Sequence, residues 1–164
     1  MVKLNKKGYL AVEVILASVV AVSIAVFLID LTVKMVNKTN DNYTNTLFLT
    51  DKALITNHLR KEIKQDIQSN EGLKSAGIKN GSCYLEYNNG SGKWINISKD
   101  EENRDAITYS PGYSKTINKD IKYSDINIKC TLENNYLIIK INFEDIFTTN
   151  NNRDIEIVLY NSTK

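Results

Sequence analysis

Twenty-one consecutive residues from Tyr9 to Ile29, "YLAVEVILASVVAVSIAVFLI", hold a single charged side chain, Glu13. As an α-helix this run rises about 31 Å, matching the roughly 30 Å hydrocarbon core of a bilayer. By length it spans a membrane. A secretory signal peptide has an apolar region of about 7 to 15 residues, free of charge and followed by a small-residue cleavage site. The run here is longer and carries an acid, so secretion remains an alternative only through "SVVAVS" around Ala21. A carboxylate at membrane depth costs on the order of 2.5 to 3.5 kcal/mol, so Glu13 calls for a partner.

Lys3, Lys6 and Lys7 stand before the run, and Lys34 and Lys38 behind it. That bias places the N-terminus in the cytoplasm and the polar remainder outside. The formal net charge is +2, but without the three leading lysines the 21 basic residues fall to 18, against 19 acidic ones. Net charge therefore gives no general attraction for nucleic acid.

"KKG" at Lys6 to Gly8, then an aromatic residue, three more residues, a glutamate and an apolar stretch form a position-specific pattern. It resembles the class III leader of type IV pilins and pseudopilins. The resemblance implies cleavage by a prepilin peptidase between Gly8 and Tyr9, methylation of the new N-terminus at Tyr9, and retention of the apolar segment. Glu13 matches the glutamate at the fifth mature position. The α-amino group of Tyr9 would be cationic at neutral pH, so Glu13 of one subunit can pair with Tyr9 of the next and set their axial stagger. Tyr9 replaces the usual phenylalanine, and Val22 and Asp30 stand where many major pilins carry glycine and proline. This points to a minor subunit or a pseudopilin. The resemblance further implies other pilin-like subunits, an assembly platform, an ATPase and the cytoplasmic membrane as partners, with a cell-surface, periplasmic or wall filament as the destination.

The only proline of the chain is Pro111, so a helix can continue beyond the membrane. Leu47, Phe48, Leu54, Ile55, Leu59, Ile63 and Ile67 recur at spacings near three and four, opposite Asp51, Lys52, Arg60, Lys61, Lys64 and Asp66. They mark an amphipathic helix that covers the chain's own sheet. Between the two stretches, Asn37 to Asn45 ("NKTNDNYTN") is poor in helix formers and reads as a looser or bent connection. "SNEG" at Ser69 to Gly72, with Gly77 and Gly81 beyond, supplies a helix stop and a loop.

After Gly81 the apolar period changes from 3.6 to 2. "SCYLEYN" and "KWINI" flank "NGSG" as a hairpin, and "DAITYS" leads to Pro111 and Gly112, a pair suited to a type II turn. "INIKCTLE" and "YLIIKINFED" flank Asn134 and Asn135 as another hairpin, and "DIEIVLYN" adds a last strand. The expected fold is α+β and pilin-like: a leader at 1–8, a transmembrane or filament-core helix at 9–36, its amphipathic continuation at 37–70, and a head of five or six antiparallel strands at 71–164.

Cys83 and Cys130 allow one disulfide in an oxidising compartment, or two small buried thiols. With the single His58 they do not make a zinc set, and no nucleophile motif or phosphate loop occurs. No enzyme function and no cofactor are expected. Asp100, Glu101, Glu102 and Asp105 lack the glycine and ligand spacing of a calcium loop and read as a solvated acidic loop. Tyr84, Tyr87, Trp94, Tyr109, Tyr113 and Tyr123 fit cross-strand packing better than a clamp on single-stranded DNA. Asn-x-Ser/Thr sequons at Asn37, Asn42, Asn80, Asn89, Asn96 and Asn161 follow from the abundance of asparagine, and the pilin-like leader implies a prokaryote, so glycosylation is not expected. Two other classes compete with the filament subunit: a membrane-anchored extracytoplasmic binding or sensor domain, and a secreted enzyme.

Overall fold

A computed structural model of the chain describes residues 6–110, 113–117, 123–145 and 153–162. The turn expected at Pro111 and Gly112 lies outside the described residues, as does Lys3. Two compact units divide the chain, Met1–Tyr43 and Thr44–Lys164. One helix, α1, runs over Lys6–Ser69. The backbone stays α-helical through Asn37 to Asn45, where a looser connection was expected. In this stretch the Thr39 hydroxyl donates to the Met35 carbonyl, a local bond compatible with the helix.

In the second unit α1 packs on two antiparallel sheets, which together with the helix make an α+β fold. Phe48, Ile55, Leu59, Ile63 and Ile67 of the expected stripe are buried in the core. The last four recur every fourth residue and so stay on one face. Leu54, also assigned to the stripe, is 39% exposed, whereas Asp51, assigned to the polar face, is only 6% exposed. Asp51 sits three residues after Phe48 and four before Ile55, so helical spacing alone places it among them.

The helix ends in a Schellman motif. The Gly72 N–H donates to the Ile67 carbonyl at 2.9 Å, and Glu71 takes the left-handed conformation with φ of 64°. The expected stop at Ser69 to Gly72 is correct, but the left-handed position falls on the glutamate before the glycine.

The first sheet is a meander of β1 (Leu73–Lys79), β2 (Ser82–Tyr87), β3 (Gly92–Lys99), β4 (Asp105–Ser110) and β5 (Tyr113–Thr116). The second is a meander of β6 (Tyr123–Glu133), β7 (Tyr136–Asp145) and β8 (Arg153–Tyr160). Six of these strands match the expected ones. Two do not: β1 lies where a loop was expected, and β5 follows Pro111 and Gly112. Asn80 and Gly81, with φ of 52° and 76°, form the tight turn that returns β1 into β2. Asn134 and Asn135, at 50° and 64°, do the same between β6 and β7.

The expected single sheet is thus two sheets, and two contacts among the described residues tie one to the other. Cys83 of β2 is bonded to Cys130 of β6, with Cα atoms 5.7 Å apart across a separation of 47 residues. Asn161, just past β8, closes the other link. Its side chain accepts the Leu73 N–H at 2.7 Å and donates to the Leu73 carbonyl at 2.9 Å. It thereby completes both backbone groups at the first residue of β1 as another strand would.

Candidate functional site

From Leu10 to Tyr43 every described side chain is exposed, including large apolar ones such as Val14, Phe27 and Ile29. At about 1.5 to 3 kcal/mol per large apolar side chain, leaving this surface in water costs tens of kcal/mol. Lipid or other apolar helices are the environments that remove the cost. The helix is long and apolar enough to cross a membrane.

The polar side chains within the run differ in what they do. Ser18 donates its hydroxyl to the Ile15 carbonyl, and Ser23 donates to the Val19 carbonyl, each at 2.8 Å. Such bonds satisfy hydroxyls that lipid cannot. At the far end of the run Asp30 pairs with Lys34 one turn on, at 2.7 Å. Glu13 is the exception: exposed, it has no hydrogen bond or ion pair among the described residues. Gly8 and Tyr9 lie in the helical backbone of α1, and Tyr9 precedes Glu13 by four residues.

The head residues singled out in the sequence serve structure. Asp100 accepts the backbone N–H groups of Glu102 and Arg104, the Arg104 guanidinium and the Thr116 hydroxyl. The Arg104 N–H has the largest effect, and together with the Arg104 guanidinium, the Thr116 hydroxyl and the Glu102 N–H it holds this carboxyl below its ordinary range against the opposing effect of burial. Among the described residues no group of three or more His, Cys, Asp or Glu side chains gathers as a metal requires. His58 is exposed on α1. Tyr84 and Trp94 are direct cross-strand partners with ring centroids 4.5 Å apart, and the Lys79 ammonium lies 3.8 Å from the Tyr84 ring. Tyr87, Tyr109 and Tyr123 are buried, the last against Phe143.

Sequence reasoning missed one polar network. Asp66, assigned to the outer face of the helix, accepts both the Tyr109 hydroxyl at 2.5 Å and the Lys93 ammonium at 2.7 Å. Tyr109 is also 2.7 Å from the Tyr87 hydroxyl. Because the proton of Tyr109 goes to Asp66, Tyr87 donates to Tyr109, and the chain runs one way. Burial, chiefly, raises the pKa of both tyrosines. The available signal was Asp66 next to Ile67 at the end of the stripe, too weak to single out.

No family model matches this chain, and no curated protein or solved structure matches it significantly.

Proposed function

We propose that the chain is a pilin-like structural subunit of a type IV filament system, a minor pilin or pseudopilin, cleaved between Gly8 and Tyr9. The observation that carries this reading is the position of Glu13. It is the one polar side chain between Leu10 and Ile29 whose needs its own helix does not meet, and it stands five residues past Gly8 in the leader-like pattern.

In this reading the function is assembly. The apolar helices of neighbouring subunits pack together as they leave the bilayer, replacing lipid contacts by helix contacts. Within that bundle Glu13 meets the α-amino group of Tyr9 on an adjacent subunit. A buried pair of this kind adds little net stability, but a subunit out of register leaves a charge unpaired at a cost of several kcal/mol. The pair therefore selects one axial offset. The disulfide-linked head stays outside the membrane, in an oxidising compartment. The prepilin peptidase, platform protein and ATPase supply cleavage and extrusion, and the fully formed filament serves a pilus, a type II secretion apparatus or DNA uptake.

The test is mass spectrometry of the N-terminal peptide from the protein in its own cells, together with Glu13→Ala. The proposal expects a peptide that begins at Tyr9 with an added methyl, and loss of the Glu13→Ala subunit from sheared filaments while its membrane level is kept. An intact leader with unaffected membrane residence would reject it in favour of an anchored extracytoplasmic domain. A start beyond Ala21 would instead indicate secretion.

A further inference from the structure

Strand β8 ends the three-stranded sheet, and among the described residues only β7 pairs with it. The direction of its backbone groups follows from one contact. The Lys52 ammonium donates to the Asp154 carbonyl at 2.8 Å, so that carbonyl points away from β7. In an antiparallel strand the N–H and C=O of one residue point to the same side, and successive residues alternate. Asp154, Glu156, Val158 and Tyr160 therefore turn their backbone groups to the open edge. The Asn161 N–H, of opposite parity, donates inward to the Asn135 carbonyl. Lys52 covers the start of the edge, and beyond it the outward groups of Glu156, Val158 and Tyr160 have no partner among the described residues.

Beside this edge runs a groove of about 380 Å³, lined by Arg60, Lys64 and Ile67 of α1 and by Val158 and Tyr160. Lys52 lies at Asp154 and Ile67 at the far end of β8, so helix and strand run in the same direction along the groove. Arg60 and Lys64 are exposed and make no ion pair among the described residues.

We propose that this edge and groove bind an extended acidic segment of a partner protein as a fourth strand. Main-chain bonds to Glu156, Val158 and Tyr160 would hold it. Its side chains facing α1 recur every second residue, about 6.7 Å apart, close to the roughly 6 Å rise between Arg60 and Lys64. Two acids two residues apart would thus meet both cations, and an apolar residue at the next such position would reach Ile67. A second copy of this chain is disfavoured as occupant, because symmetric pairing of two β8 edges would bring both sets of Arg60 and Lys64 to one seam. The proposal is independent of whether the chain enters a filament.

The experiment uses the isotopically labelled full chain in detergent micelles. The probe is a short blocked peptide with two glutamates two residues apart, isoleucine at the next alternate position, and threonine elsewhere. Binding should shift and protect the amides of Glu156, Val158 and Tyr160. The same peptide with lysine for glutamate should not bind. Arg60→Glu combined with Lys64→Glu, both on the exposed helix face, should weaken binding at least about tenfold. Val158→Pro removes an outward N–H without deleting a bond to β7 and should abolish it. Absence of binding, binding unchanged in both variants, protection of the Glu156, Val158 and Tyr160 amides already without peptide, or dimerisation through β8 would each overturn the proposal.

Discussion

Tyr109 donates its hydroxyl to Asp66 at 2.5 Å, joining the C-terminal end of β4 to the last turns of α1. The same carboxylate takes Lys93 of β3, so one helical acid fastens two neighbouring strands. Tyr109→Phe removes a donor from Asp66 and leaves the Tyr87 hydroxyl without its acceptor. It should cost about 2 kcal/mol, since a buried polar group left unpaired costs about 1 to 3 kcal/mol. Tyr87→Phe deletes only the end of the chain of bonds and should cost less. Urea unfolding of the two variants in the same detergent checks the order.

The same network sets a response to alkali. Burial first, and for Tyr109 also the neighbouring Tyr87 and Asp66, hold both phenols protonated above the ordinary tyrosine range. The unfolded chain ionises them near pH 10, so the folded state binds more protons above that pH. The stabilising effect is complete below about pH 10 and is lost as pH rises beyond it, by up to about 1.4 kcal/mol per pH unit for each tyrosine. Stability measured from pH 9 upward should fall, in step with delayed phenolate absorbance. The Tyr87→Phe, Tyr109→Phe double variant should show a shallower decline.

Cys83 and Cys130 close a span of 47 residues between the two sheets. In the chain-entropy account a loop of that length contributes about 4 kcal/mol. Replacing both by serine should lower stability by about 2 to 4 kcal/mol and make it insensitive to reductant, whereas the natural chain should lose a similar amount when reduced. Equal stability of the oxidised natural chain and the double-serine variant would contradict the link between the sheets.

The sequence carried the fold where chemistry repeats. Ile55, Leu59, Ile63 and Ile67 announce a helix face by spacing, and "DIEI" announces the start of β8 by alternation, which its burial continues through the apolar run Ile157 to Tyr160. It was silent where the reason is tertiary. The strand β1 reads "LKSAGIK", with glycine inside and polar residues on both faces, and is ordered by pairing with β2. The division into two sheets depends on where hydrogen bonding stops, which no local pattern records. Of the candidate site, Glu13 was legible because charge is conspicuous in an apolar run. Arg60 and Lys64 were not, because a cation without a partner looks in sequence like any solvated one.

Asn161 belongs to a sequon in the sequence and to the core in the structure, at 3% exposure. Its amide serves both backbone groups of Leu73, which are otherwise left at the start of β1 without strand partners. Asn161→Ala should cost about 2 to 4 kcal/mol, the sum for a donor and an acceptor buried unpaired. Hydrogen exchange checks the location: the Leu73 amide should lose protection by more than amides in β7.

Glu71 offers the opposite sign. It occupies a left-handed conformation, φ 64°, at the end of α1, while its backbone carbonyl accepts the Asn88 side chain at 2.7 Å. A residue with a Cβ pays roughly 1 to 2 kcal/mol in that conformation, and glycine does not. Glycine's greater freedom in the unfolded chain offsets about 0.4 to 1 kcal/mol of the gain. Glu71→Gly should therefore stabilise the head by about 0.5 to 1 kcal/mol and leave the Gly72–Ile67 bond intact. Ser69→Gly, two residues earlier and still helical, should destabilise by about 0.5 kcal/mol. Thermal unfolding of both variants side by side separates a relieved backbone angle from any general effect of adding glycine at the helix end.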